Sequence, residues 1–187
     1  MRNSALIVRI PDAPNPLVKR VSLGQHATVL AHSDRVVAYI VRPDGCLLVN
    51  VHADEDRPWE QSGLQVPGGG VAPGESLEAA VAREVAEETG LTDVRIVRYL
   101  GAVDWDLRPY TPMVAQRHFF HLAVDERVLD EWEHWETGGP HEPPRADGGV
   151  RLRHYWLPVA QCHALAAGLS ARLGALSESL ASDAGRP

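Results

Sequence analysis

The chain has 187 residues, 44% of them hydrophobic, enough for one domain of ordinary size with a core of its own. Its 18 basic and 25 acidic residues leave a formal charge of −7, which argues against a nonspecific nucleic-acid or membrane surface, so neither DNA nor membrane is expected as a partner. No apolar run approaches about 18 residues and no secretory leader pattern opens the chain, so membrane spanning and secretion are not expected.

In chain order, residues 1–22, with Pro11, Pro14 and Pro16, read as an N-terminal extension. It is expected to add an edge strand, cover the sheet or exchange with a second subunit. Short β-branched or apolar runs at 27–31, 36–41 and 46–51 predict strands, the last two forming a hairpin around Arg42-Pro43-Asp44-Gly45. Cys46 and Cys162 lie far apart without Cys-x-x-Cys spacing, which fits neither a redox motif nor a zinc site and suits a reduced, cytoplasmic setting.

Residues 65–75 form a glycine- and proline-rich loop after a strand. Ser76 then caps a helix predicted to run to Thr89, with Leu77, Ala80, Val81 and Val85 as its apolar stripe and Gly90 as its left-handed stop. Further strands are predicted at 94–100, 116–124 and 152–157, with loops at 104–112 and 125–149. A helix from Val159 to about Ala181 is interrupted at Gly168 and Gly174, and 182–187 should fray. Strands outnumber helices, as a mixed sheet in an α/β domain over 23–181 requires.

The chemistry concentrates between Gly69 and Leu91. Glu84, Glu87 and Glu88 stand three and four apart, so their carboxylates share a helix face. Like charges at that spacing cost about 0.2–0.5 kcal/mol per pair when exposed, and more when desolvated. A hard divalent cation reverses the sign of that cost, and Mg²⁺ is usually held by few carboxylates plus waters and substrate phosphates. The glycines of the preceding loop leave main-chain groups uncovered for metal or phosphate. Arg83 is the one strong cation in the cluster and is expected to brace Glu75 and a helix glutamate together.

The full string, Gly69-x5-Glu75-x7-Arg83-Glu84-Val85-x-Glu87-Glu88-x-Gly90-Leu91, resembles the Nudix box at every specified position. The surrounding pattern resembles the family's domain from about residue 23 to 168. The resemblance implies an α/β/α sandwich with a mixed sheet that cleaves a nucleoside diphosphate linked to another group, using Mg²⁺ or Mn²⁺. It implies Glu84 and Glu88 as main metal ligands, Glu87 as a further one, and a carbonyl of the Gly68-Gly69 turn to complete the coordination. Glu75 and Arg83 would orient the others, and a box glutamate such as Glu87 or Glu88 would serve in catalysis.

A glutamate outside the box adds a metal contact or acts as general base in several such enzymes, which makes Glu133 and Glu136 candidates. An amphipathic helical turn with Trp132 and Trp135 packed inward and both glutamates solvated is the alternative. Trp59 and Trp105 are candidates to stack on a nucleobase, with Arg108 and Tyr110 beside them; Trp156, inside a strand, is expected in the core. Family members for ADP-ribose tend to carry a proline, and those for dinucleoside polyphosphates a tyrosine, a short way beyond the box. Pro109 and Tyr110 both stand at about that distance, so both readings stay open.

The expected substrates are ADP-ribose or NDP-sugars first, nucleoside triphosphates including damaged ones second and dinucleoside polyphosphates third, with an RNA 5′ end disfavoured by the negative charge. A non-catalytic nucleotide sensor is the alternative from a different class, although such domains commonly lose box glutamates that are all present here. The resemblance also allows a homodimer.

Overall fold

The central strands carry unbroken buried runs whose side chains point alternately to the two faces of one sheet, and so build a core on each face. The computed structural model describes residues 7–9, 17–19, 31–53, 63–109, 112–124, 128–136 and 149–184. In chain order these form β1 (Ile7–Arg9), β2 (Leu17–Lys19), β3 (Ala31–Val41), β4 (Cys46–His52), β5 (Gly68–Gly70) and helix α1 (Leu77–Thr89). Then come β6 (Val94–Asp106), β7 (Met113–Val124), β8 (Glu131–Glu136) and β9 (Val150–Pro158). Two short 3₁₀ segments, Val159–Ala164 and Ala166–Gly168, lead into α2 (Leu173–Ala184).

The main sheet has the order β6-β7-β3-β4-β9-β8, with β5 pairing β3 off that path. β3 and β7 run parallel from Ala31↔Met113 to Val41↔Ala123, and the other pairings are antiparallel. On its other edge β3 pairs β5 from Arg35↔Gly70 to Val37↔Gly68 and meets β4 at Val41↔Leu47. The sheet therefore opens between β3 and β4, and the glycine strand fills the gap. β1 and β2 pair only with each other, so within the described residues the extension contributes a separate two-stranded sheet and no edge strand to the main one.

Val37, Tyr39 and Val41 face one side, with Leu47, Val49 and Phe119, beneath Cys162, Leu165 and Leu176. Val36, Ala38 and Ile40 face the other, with Leu48, Phe120 and Leu122, beneath Ala80, Val81 and Val85 of α1. Each Val, Leu, Ile or Phe among them contributes roughly 1.5–3 kcal/mol when fully buried. The result is the expected α/β/α sandwich with a mixed sheet.

Several expectations are corrected. The strands expected at 27–31 and 36–41 are one strand from Ala31, and residues 27–30 lie outside the described residues. β6 continues through Asp104, Trp105 and Asp106, which were expected in a loop, because antiparallel pairing to β7 extends to Asp106↔Val114. Residues 131–136 are a strand paired to β9 along its whole length, not a helical turn, and Trp135 is exposed rather than packed inward. The C-terminal helix begins only at Leu173, after the 3₁₀ segments, and continues to Ala184, beyond the expected fraying point at Ser182. Trp156 packs at the margin of the α1-side core, half-buried, with the Arg42 guanidinium 4.6 Å from its ring centroid.

Candidate functional site

The box helix is set by its ends. Ser76 Oγ accepts from the Ala79 N–H at 3.1 Å, and Gly90 closes the helix at φ 75°. The other end of the cluster is backbone: a Cβ at Gly68 would stand 2.2 Å from the Val36 carbonyl oxygen, so only glycine lets β5 lie this close to β3. β5 in turn lies against α1, and the buried Glu84 carboxylate packs on Gly69.

Arg83 holds the carboxylates together as a fork. Its Nε and one terminal nitrogen donate to the two Glu75 oxygens, each at 2.9 Å, and that terminal nitrogen also reaches the Gly70 carbonyl at 2.8 Å. The other terminal nitrogen donates to Glu84 at 2.9 Å and Glu87 at 3.1 Å. Glu75 further accepts from the Ala72 N–H at 2.9 Å, which ties the loop to the helix. The expected bracing by Arg83 thus reaches three glutamates.

Burial raises the proton affinity of Glu84, and Arg83 offsets part of that rise. Glu88 is raised well above the usual carboxylate range by burial first and then by the charges of Glu136 and Glu84; the Gly68 N–H at 3.4 Å and Arg35 oppose this. Among the described residues no three His, Cys, Asp or Glu side chains converge into a ready-made metal cage, because Glu84 and Glu87 turn toward Arg83. What remains is a set of hard oxygen donors, two of them destabilised in their charged form. That chemistry fits Mg²⁺ or Mn²⁺, which take few carboxylates and complete their shells from water and phosphate.

The strand β8 separates the two glutamates outside the box. Trp132, His134 and Glu136 are half-buried, whereas Glu131, Glu133 and Trp135 are exposed on the opposite face. Glu136 is near enough to raise Glu88, while Glu133 accepts from Arg151 at 3.3 Å. The aromatic side chains of this edge hold the last turn of α1, where helix carbonyls lack intrahelical partners. Trp132 Nε1 donates to the Thr89 carbonyl at 2.8 Å, and His154 Nε2 donates to the Glu88 carbonyl at 2.9 Å. The two rings stack with centroids 5.0 Å apart. Burial pushes His154 down to about 4, so it is neutral, and its Nδ1 has no hydrogen-bond partner among the described residues. His154 carries no signal in the sequence, because its partner is a backbone carbonyl, which leaves no motif.

Beside the carboxylates lies a cleft of about 130 Å³ lined by Arg35, Val37, Gln65, Gly68, Arg117 and Ala167. Arg35 and Arg117 were not singled out from sequence. Trp105 adjoins this side, but one face of its ring carries the Arg117 guanidinium at 4.9 Å, and its edge lies against Gly168. The Arg108 guanidinium is exposed and engaged by Asp106, which it lowers to about 2. Trp59 and Tyr110 lie outside the described residues.

The family model described as NUDIX domain matches residues 31–174. Among curated proteins, the chain is 38% identical over 118 residues to an RNA pyrophosphohydrolase of Photorhabdus laumondii subsp. laumondii, covering 56% of this chain and 62% of that protein. It is 42% identical over 91 residues to the NAD-capped RNA hydrolase NudC of Mycobacterium tuberculosis, covering 45% of this chain and 27% of that one. The matches therefore span less than two thirds of the length of either relative. A solved MutT protein from Methanosarcina mazei superposes with a TM-score of 0.51 at 22% identity, covering 81% of this chain and 95% of that one. The NUDIX domain of Shewanella oneidensis NrtR, complexed with ADP ribose, gives 0.54 at 18% identity, covering 80% and 89%. At those identities the likeness concerns the fold.

Proposed function

This chain belongs to the Nudix family, and on that premise we propose that it is a metal-dependent pyrophosphohydrolase acting on a nucleoside diphosphate linked to a further group. The observation that carries the reading is the Arg83 fork, which gathers Glu75, Glu84 and Glu87 beside Glu88 at an electrostatic cost that a divalent cation would reverse. The relatives whose names refer to RNA ends and NAD-capped RNA, and the neighbour that holds ADP ribose, support a nucleotide-derived substrate.

Glu84 and Glu88 are the residues we assign to the cation, with Glu87 and a carbonyl of Gly68-Gly69 as further ligands. When bound, Mg²⁺ or Mn²⁺ supplies charge neutralisation at the diphosphate and acidifies a water. Glu75 and Arg83 are positioning residues that set the Glu84 carboxylate against Gly69. Water attacks phosphorus in line, its oxygen forms the new P–O bond, and the bridging anhydride oxygen leaves with its electron pair. The products are a nucleoside monophosphate or another phosphorylated fragment and the remaining phosphate half.

Glu136 is the proton acceptor we favour. Supporting it over Glu133 is its orientation on the half-buried face of β8, within electrostatic reach of Glu88, while Glu133 faces away toward Arg151. The reading is tested by Glu84→Gln and Glu88→Gln: both should lose metal-dependent turnover while keeping the circular dichroism of the parent. Retained turnover in both would reject the assignment.

A further inference from the structure

Arg35 and Arg117 are register partners on the parallel strands β3 and β7. Neighbouring strands lie about 4.8 Å apart, and like charges set directly opposite on them destabilise a sheet. Among the described residues no carboxylate forms an ion pair with either guanidinium; the described ion pairs of the site belong to Arg83. Arg117 stacks on Trp105 and donates to the Ala167 carbonyl, which leaves the rest of its five-donor fork for the cleft. Ala167 itself has φ 51°, a left-handed conformation uncommon for alanine, so the segment is bent at the point where it meets this arginine. Burial and the charge of Arg35 push Arg117 down to about 10. Gly68 is shared between this cleft and the carboxylate cluster, and Arg35 acts on both Glu84 and Glu88.

A positive pair without an ion-paired carboxylate among the described residues, next to an acidic cluster, is complementary to a phosphate chain laid across the two. At about 130 Å³ the cleft is well below the roughly 300–1,000 Å³ of pockets that enclose a whole small-molecule ligand, so it has room for a phosphate group and not for a nucleoside. A terminal phosphate monoester carries about −1.5 to −2 near neutral pH, which matches two guanidiniums; an internal phosphate of a diphosphate diester carries less.

Resting on the hydrolase reading above, we infer that Arg35 and Arg117 form a subsite for the terminal phosphate of a polyphosphate substrate and so favour triphosphate-bearing nucleotides over nucleoside diphosphate sugars. The terminal group belongs to a free nucleoside triphosphate or to a 5′-triphosphorylated RNA end.

The test measures kcat/KM with Mg²⁺ for a nucleoside triphosphate, a 5′-triphosphorylated oligoribonucleotide and ADP-ribose in the parent protein, Arg35→Gln and Arg117→Gln. Losing one charge-assisted contact should lower kcat/KM for a triphosphate substrate, free or on RNA, by roughly 10- to 100-fold, chiefly through KM, and lower it for ADP-ribose by far less. Equal losses on all three substrates, or none, would overturn the subsite. Arg35 is exposed, so its variant keeps the test readable if Arg117→Gln fails to fold. If the parent turns over none of the substrates, the hydrolase reading fails and the subsite is judged by calorimetry with tripolyphosphate in chelator. Binding that is lost in Arg35→Gln supports it, and binding that is absent from the parent or unchanged in the variant overturns it.

Discussion

The Glu84 carboxylate lies so close to Gly69 that a Cβ built on the glycine would stand 2.1 Å from Glu84 Oε2. No real Cβ contact is that short, so Gly69→Ala must drive the carboxylate out of its place. We expect metal affinity to fall roughly 10- to 100-fold, the size of effect seen when groups supporting metal ligands are removed. Titration with Mn²⁺ followed by electron paramagnetic resonance reads this directly.

Arg83 is half-buried and spends its fork on Glu75, Glu84, Glu87 and a carbonyl. Arg83→Gln leaves three glutamates near one another without their cation, so the melting temperature in chelator should drop by several degrees. Added Mg²⁺ should then stabilise the variant more than the parent, because the cation relieves a larger repulsion. Thermal melts with and without Mg²⁺ provide the comparison.

The two faces of β8 predict a split between its glutamates. Glu136→Gln should lower kcat by about 10²- to 10⁴-fold, the usual range for losing a general base. Glu133→Gln, on the Arg151 side, should leave kcat within about threefold of the parent, a change under about 1 kcal/mol. Steady-state kinetics at saturating Mg²⁺ distinguish them.

His154 has a folded-state pKa of about 4 against an ordinary 6.5. Protonation is therefore disfavoured in the fold, and its contribution to stability is held above pH 6.5 and lost as pH falls toward 4. The loss amounts to about 3 kcal/mol. His154→Gln keeps a donor for the Glu88 carbonyl without the titration, so urea unfolding of that variant should show a flatter stability profile across this window.

The box and its helix were legible because their determinants are local: Ser76 and Gly90 mark the ends, and the glutamate spacing defines a face. The β3–β4 hairpin was legible for the same reason, through the turn at Arg42 and Gly45. β6 was cut short in the sequence reading because register shifts between Ile96 and Arg98 and between Tyr99 and Gly101 break its alternation; pairing with β7 is what extends it. In Glu131-Trp132-Glu133-His134-Trp135-Glu136 a period of two was present, but the aromatic spacing also suits a helical turn, and only pairing with β9 decides between them. The Arg35–Arg117 pair depends on a parallel register between distant segments, which no local pattern encodes.

Metal-dependent cleavage of a phosphoric anhydride is read out by turnover of a panel of ADP-ribose, NDP-sugars, nucleoside triphosphates and dinucleoside polyphosphates with Mg²⁺, Mn²⁺ or chelator. Cleavage of at least one class is expected that requires the metal and disappears in chelator and in Glu88→Gln. Binding of a panel nucleotide without turnover of any substrate under either metal would contradict it and identify the domain as a nucleotide sensor.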